Sequence, residues 1–69
     1  MTKIDFELGL LGPNWKHHHW SNGHKGPDGI YIRRATKLDR FYAVFQNGKF
    51  VSRHNSIGKA GEVAKGLLQ

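Results

Sequence analysis

The chain has 69 residues, no cysteine and a formal net charge of +6 at pH 7, with 11 Lys and Arg residues against 5 Asp and Glu residues. A chain this short forms one small domain with a modest core, and the lack of cysteine excludes a disulfide framework and a thiolate zinc site. No apolar run approaches the roughly 18 residues of a membrane span, so we expect a soluble cytoplasmic protein, associated with the nucleoid in a bacterial host.

The positive charge is concentrated in the middle of the chain. Residues 15–59 contain nine of the Lys and Arg residues and only two acidic residues, Asp28 and Asp39, which gives this segment a net charge of +7. Such an excess predicts attraction to a polyanion, with nucleic acid first and acidic protein or membrane surfaces second. A charge that serves only solubility is the simpler alternative.

The first element is predicted from alternation. Apolar and polar residues alternate over positions 4–10 (IDFELGL), which predicts a short β-strand. This strand could pair at a sheet edge, dimerise or lie across the core as an arm. The sequence Gly12-Pro13-Asn14 then ends any regular element.

Residues 15–28 (WKHHHWSNGHKGPD) show neither helical nor strand periodicity and predict a loop. Four histidines lie in it, at positions 17, 18, 19 and 24. Consecutive His side chains diverge and no Cys, Asp or Glu stands close by to complete a tetrahedral set, so we predict no metal site and no cofactor. Either Trp15 or Trp20 is expected to pack on the core while His and Lys side chains face a polyanion.

A three-stranded antiparallel meander is predicted next. Residues 30–34 form its first strand, and residues 40–53 (RFYAVFQNGKFVSR) form a hairpin closed by Asn47-Gly48, the preferred pair for a two-residue turn. Pairing outward from this turn predicts a core face of Phe41, Ala43, Phe45, Phe50 and Ser52. It predicts an exposed face of Tyr42, Val44, Gln46, Lys49, Val51 and Arg53.

The C-terminal segment has helical periodicity. Its apolar and small residues fall on one side of a helix that begins near Ser56, with Asn55 or Ser56 as N-cap. The predicted fold is therefore α+β, a three-stranded antiparallel sheet packed on one C-terminal helix. Residues 1–28 of the single 1–69 domain supply a possible extra N-terminal strand or arm and the His/Trp-rich loop, and residues 29–69 supply the core.

The order of these elements adds a family resemblance. The strand Gly29–Arg33, the strand Phe41–Phe45, the Asn47-Gly48-Lys49 turn and the Ala- and Leu-bearing helix resemble the arm-type DNA-binding domains of phage tyrosine integrases. They are also similar to the plant AP2-type DNA-binding domain, and the resemblance covers about residues 26–69. In both families the sheet enters the major groove with the helix packed behind it.

The resemblance implies a set of DNA-contacting residues on the exposed sheet face: Tyr31, Arg33, Arg40, Tyr42, Lys49 and Arg53. Arg34 is predicted to be a further DNA-binding residue. Lys16 and Lys25 of the His/Trp-rich loop are predicted to contact phosphate or the minor groove. The residue types agree with this role, because Arg and Lys neutralise phosphates or bind guanine, and a β-sheet is an accepted major-groove reader.

The predicted function is that of a small non-enzymatic protein that binds double-stranded DNA, such as a phage-type regulator or a recombination accessory factor. It is expected to be a monomer or weak dimer and not to bind a membrane. No P-loop, cysteine nucleophile or pair of carboxylates in a pocket context argues for catalysis. One alternative is a phage-type inhibitor or adaptor that binds an acidic host protein through Tyr42, Val44, Val51 and the Trp loop. Another is an RNA or single-strand binder that stacks bases on Tyr31, Tyr42 and the tryptophans.

Overall fold

The computed structural model describes residues 2–68, and the end residues Met1 and Gln69 of the predicted domain lie outside the described part. The elements are helix α1 (Lys3–Leu11), strands β1 (Lys16–His18), β2 (Gly23–Lys25), β3 (Ile30–Arg33), β4 (Tyr42–Gln46) and β5 (Lys49–His54), and helix α2 (Ile57–Leu67). The strands form one antiparallel sheet in sequence order. The α+β class, the β3–β4–β5 meander and the C-terminal helix agree with the sequence, while β1, β2 and α1 are additional.

Helix α1 replaces the strand predicted at residues 4–10, so that prediction is wrong. Its first turn is closed by a capping box, in which the Thr2 hydroxyl accepts from the Asp5 N–H at 3.1 Å and the Asp5 carboxylate accepts from the Thr2 N–H at 3.5 Å. Glu7 and Leu11, four residues apart, are its buried side chains. None of the helices within residues 2–68 is long and apolar enough to cross a lipid bilayer.

Two short strands occupy much of the segment predicted as a loop at residues 15–28, so that prediction is wrong as well. Strands β1 and β2 form a hairpin in which His17 pairs with His24, and β2 continues the sheet onto β3. The expectation for the tryptophans is confirmed, because Trp15 is buried in the core and Trp20 is 99% exposed. A single turn of 3-10 helix, Pro27–Gly29, leads into β3.

The hairpin of β4 and β5 has the predicted turn and a different register beyond it. Asn47 and Gly48 both have positive φ, 53° and 82°, as the two-residue turn requires, and Phe45 pairs with Phe50. Beyond this pair a β-bulge makes Val51 an extra residue, so Val44 pairs with Ser52. The uninterrupted pairing outward from the turn that the sequence predicts would place Val44 opposite Val51, so that pairing and each one beyond it are wrong by one residue.

The predicted faces of β4 are reversed. Tyr42 and Val44 are buried beneath the helices, while Phe41 and Phe50 are 37% and 59% exposed. Ile32 explains the choice of face, because it is fully buried and pairs directly with Val44, which places both side chains on one side of the sheet. The core consists of Leu11, Trp15, Ile30, Ile32, Tyr42, Val44, Ile57, Ala60 and Ala64.

Helix α2 matches its prediction closely. The Ser56 hydroxyl accepts from the Lys59 N–H at 3.2 Å as N-cap, and the buried residues of the helix are Ile57, Ala60, Gly61 and Ala64. Both helices lie on the same side of the sheet, where α2 contacts β4, β5 and α1. The opposite side, called the open face below, carries no element of residues 2–68.

Candidate nucleic-acid interface

The open face is organised as two rows of directly paired residues that cross all five strands. The first, called the ring row, consists of Lys16, Lys25, Tyr31, Phe45 and Phe50. The second, called the arginine row, consists of His18, Gly23, Arg33, Ala43 and Arg53. Because paired residues project to the same side of a sheet, the register places each row on one line across the open face.

Three aromatic rings occupy adjacent strands at one end of the ring row. The centroids of Tyr31 and Phe45 are 6.3 Å apart with planes inclined by 53°, and those of Phe45 and Phe50 are 5.8 Å apart at 75°. These separations lie in the range of favourable aromatic pairs, so the rings support one another as cross-strand neighbours. Phe50 nevertheless keeps most of its surface in solvent, which leaves apolar area available to a ligand.

Two lysines occupy the other end of the ring row. Lys16 and Lys25 are exposed and directly paired on β1 and β2. Like charges placed opposite each other on a sheet repel and lower stability. Within residues 2–68 neither lysine has a carboxylate at ion-pair distance, so an anionic ligand would relieve this repulsion.

The arginine row adds two guanidinium groups. Arg33 forms an exposed ion pair with Asp39. Arg53 lies over the ring of Phe41, with its guanidinium carbon 4.8 Å from the centroid, a cation–π contact that orients the guanidinium on the surface. No acidic residue belongs to either row, so both rows are basic, and the Asp39 carboxylate lies beside them as the partner of Arg33.

Tyr31 is held in place by a glycine on the neighbouring strand. A Cβ added at Gly23 would overlap the phenol of Tyr31 and approach the Ile32 carbonyl, so the Tyr31 ring extends across the bare backbone of β2. Its hydroxyl donates to the backbone carbonyl of Ser21 at 3.2 Å and also bonds to the Ser21 side chain. The absence of a side chain at Gly23 therefore lets the ring lie along the sheet.

A shallow depression of about 320 Å³ lies beside the rings. It is lined by Ser21, Tyr31, Arg33, Phe45 and Gly48. Two ring surfaces, a hydroxyl and a guanidinium thus meet at one place on the open face. Such a place offers both stacking surface and hydrogen-bond donors to a flat, polar ligand.

The predicted DNA-contacting residues are divided by the fold. Those that lie together on the open face are Lys16, Lys25, Tyr31, Arg33 and Arg53. Lys49 is exposed at the hairpin tip, where it pairs with Gln46. Arg40 lines a separate depression of about 500 Å³ that also includes Lys3 and Lys37.

Two of the predicted DNA-contacting residues, Arg34 and Tyr42, bond to a buried carboxylate, and the predicted exposed position of Tyr42 is wrong. The Tyr42 hydroxyl donates to Oε2 of Glu7 at 2.7 Å, and Nε of Arg34 donates to Oε1 of Glu7 at 2.7 Å. Nε2 of His24 is 2.8 Å from the same Oε1. Glu7 and His24 are almost completely buried, so this polar cluster joins α1 to β2, β4 and the end of β3 inside the molecule.

The cluster changes the proton affinities of its members. Burial acts to raise the pKa of Glu7, but hydrogen bonds from His24, Tyr42 and Arg34 and the charge of Arg34 together hold it below its ordinary value of 4.5. Burial, with the hydrogen bond and charge of Glu7, raises the pKa of Tyr42 to about 12. Glu7 is therefore an ionised acceptor at neutral pH, and Tyr42 is a protonated donor.

His17 lies at the outer end of this cluster. Its Nδ1 is 3.4 Å from Nδ1 of His24. Burial lowers the pKa of His17, and the neighbouring His24 ring and the charge of Arg34 lower it further. Among the side chains of residues 2–68, no three His, Asp or Glu residues are grouped as a metal site.

The sequence did not identify Phe41, Phe45 and Phe50 as candidate site residues, because it predicted them as core. Strand β4 has apolar residues on both sides, so alternation alone does not choose its buried face. The pairing of β3 with β4 is what decides the buried face. Val44 pairs with the buried Ile32 and therefore lies on the same side of the sheet, while Phe45, the next residue, lies on the opposite side.

Comparisons with known proteins leave the resemblance untested. No family model, no curated protein and no solved structure matches this chain. The likeness to integrase arm-binding and AP2-type domains therefore stays a prediction, and the candidate interface is supported by the residues of the open face themselves.

Proposed function

We propose that this chain is a non-enzymatic nucleic-acid-binding protein that uses its open face as the binding surface. The observation that carries the proposal is the alignment of Lys16, Lys25, Arg33 and Arg53 with exposed aromatic rings on the uncovered side of the sheet. Cations attract the phosphates, and rings contact bases or sugars.

The distribution of charge supports this role. Both rows of the open face lack carboxylates, and the carboxylate of Asp39 is already paired with Arg33. On the helix side, Glu7 neutralises Arg34 inside the molecule. Lys16 and Lys25, which have no carboxylate at ion-pair distance among residues 2–68, would contribute binding free energy through the release of counterions from phosphate.

Duplex DNA is the ligand that the sequence predicts, with the protein as a phage-type regulator or accessory factor, and this stays a prediction. The alternative of an acidic host protein loses two of its anchors, because Tyr42 and Val44 are buried. Nucleic acid is therefore the partner class that the open face favours.

The test is a titration of labelled duplex and single-stranded oligonucleotides, followed by fluorescence anisotropy at several salt concentrations. Wild-type protein should bind with an affinity that falls steeply with salt. The variant Lys16→Ala/Lys25→Ala removes the lysine pair, so the slope of log K against log salt should fall by roughly 1 to 2.

A matched control removes the same charge from the helix side. Lys59 and Lys65 are exposed on α2, so Lys59→Ala/Lys65→Ala should leave both affinity and salt slope near the wild-type values. Equal losses in the two double variants would show that net charge, rather than the open face, governs binding. Absence of binding to every oligonucleotide at low salt would refute the proposed function.

A further inference from the structure

We propose that the open face binds unpaired bases, by stacking them on the rings of Tyr31, Phe45 and Phe50, rather than the groove of a duplex. This inference rests on the proposed function and specifies its ligand as single-stranded nucleic acid. The three rings belong to adjacent strands and follow one another in the ring row at centroid distances of 6.3 and 5.8 Å.

The chemistry of the exposed side chains separates the two kinds of nucleic acid. Bases in a duplex are already stacked and present only their edges in the grooves, where polar side chains read them. A Phe ring has no hydrogen-bond donor or acceptor, so Phe45 and Phe50 cannot read base edges. Unpaired bases expose their flat faces. Aromatic side chains can stack on these faces whatever the base sequence.

The polar groups expected to read a major groove are largely absent from this surface. Tyr42 is bonded to the buried carboxylate of Glu7, and Gln46 pairs with Ile30 at a ladder position of the helix side. Arg33 and Arg53 remain, but Nη2 of Arg33 is paired with Asp39 and the guanidinium of Arg53 lies over the ring of Phe41. The open face therefore has more aromatic surface for stacking than polar side chains for the recognition of base edges.

The ring row also supplies a path for the backbone. Neighbouring strands are about 4.8 Å apart, so the three ring-bearing strands span roughly 10 Å, room for two or three bases. Lys16 and Lys25 continue the same row across β1 and β2. Arg53, oriented over Phe41, lies at the opposite edge in the arginine row. A single strand of nucleic acid that crosses the rings would therefore contact cations at both ends of its path.

The depression beside the rings fits the edge of a stacked base. It brings the Arg33 guanidinium and Ser21 next to the rings of Tyr31 and Phe45. A base stacked on Tyr31 would direct its polar edge toward Ser21 and toward the guanidinium N–H groups of Arg33 other than Nη2, the atom that bonds to Asp39. Gly23 keeps the Tyr31 ring lying along the sheet in the position that such stacking needs.

The experiment compares affinities for single-stranded RNA, single-stranded DNA and duplex DNA of about 10 nucleotides, a length within the usual site size of one small domain. Heparin serves as a polyanion without bases. Wild-type protein should bind at least one single strand more tightly than the duplex. Phe50→Ala should weaken single-strand binding by about 5- to 150-fold and leave heparin binding unchanged, because stacking on one ring is lost.

The control is Phe6→Ala, which removes an equally exposed ring from α1 on the other side of the molecule and should leave all affinities unchanged. The variant Phe50→Trp gives a direct readout, since its added indole fluorescence should be quenched by single strands and not by heparin. If Phe50→Ala does not fold, the presence or absence of this quenching decides whether bases stack at position 50.

Three results separate the inference from the function beneath it. Preferential single-strand binding that Phe50→Ala weakens by the expected factor, with RNA and DNA ranked by the titration, supports both. Tighter binding to duplex than to single strands, unaffected by Phe50→Ala and without quenching of Phe50→Trp, overturns the inference and leaves the proposed function standing. No binding to any nucleic acid overturns both.

Discussion

Replacement of Tyr42 by Phe tests the interior of the molecule most sharply. Tyr42 is only 7% exposed, and its hydroxyl donates to Oε2 of Glu7 at 2.7 Å. Tyr42→Phe keeps the ring volume, so no cavity forms. It leaves Oε2 of a buried, ionised carboxylate without that donor.

The expected loss follows from this one bond. A hydrogen bond to a charged group contributes about 1.5–3 kcal/mol to stability, and the partner left unsatisfied adds to the cost. A domain of this size has a total free energy of unfolding of roughly 3–10 kcal/mol, so the variant should lose a large fraction of it. The melting temperature should fall by roughly 4–8 °C for each kcal/mol.

Urea unfolding monitored by circular dichroism measures the change, with Tyr31→Phe as the matched control. The Tyr31 hydroxyl bonds to Ser21 at the surface, so its removal should change the free energy of unfolding by less than about 0.5 kcal/mol. If Tyr42→Phe is as stable as the wild type and instead weakens nucleic-acid binding, then Tyr42 lies on the outer face and the reasoning is refuted.

The remaining predictions concern acid stability and backbone space. Because folding holds the pKa of Glu7 below 4.5, the stability that Glu7 contributes is complete above about pH 4.5 and is lost as pH falls through its folded pKa. Unfolding curves between pH 6 and about 3 should show this loss, and Glu7→Gln should flatten it while lowering stability at neutral pH. The lowered pKa of His17 adds a loss of stability as pH falls below 6.5, which His17→Gln should remove. Gly23→Ala should cost about 1–3 kcal/mol and displace Tyr31, because its Cβ overlaps the phenol. Gly66→Ala, where a Cβ meets nothing within 4 Å, should instead stabilise α2 by about 0.5–1 kcal/mol, and thermal melts that rank the two alike would contradict this.

Local signals were sufficient for the C-terminal half of the fold. Asn47-Gly48 takes the two positive φ angles that its composition favours, and the apolar stripe of α2 is buried as its period predicts. Both features depend on residues within a few positions of one another. Their prediction therefore needs no knowledge of the tertiary structure.

Helix α1 was missed because two periods coincide in a short segment. Ile4 and Leu8 fit an alternating strand as well as a helix, and the deciding residue is Glu7, a charged side chain that is 1% exposed. Its burial is possible only because Arg34, His24 and Tyr42 converge on it from distant parts of the chain. Nothing in the local pattern reveals such partners.

The candidate site was partly predictable for a similar reason. Lys16, Lys25 and Arg33 were predicted to contact nucleic acid, and that role stays a prediction. Their exposure on the open face was foreseeable from residue type, because long basic side chains are seldom buried. The rings of Phe45 and Phe50 were assigned to the core, since apolar residues usually lie there. The bulge at Val51 changed the register beyond the turn, and no turn residue marks it.

The most direct measurement of the central claim is a ¹H–¹⁵N NMR titration of labelled protein with an unlabelled single-stranded oligonucleotide. We predict that the largest chemical-shift changes fall on the amide signals of the open-face residues Lys25, Tyr31, Arg33, Phe45 and Phe50. The amide signals of the exposed residues of α2 should not shift. Changes confined to α1 and α2, or spread evenly over all basic residues, would contradict a binding surface on the open face.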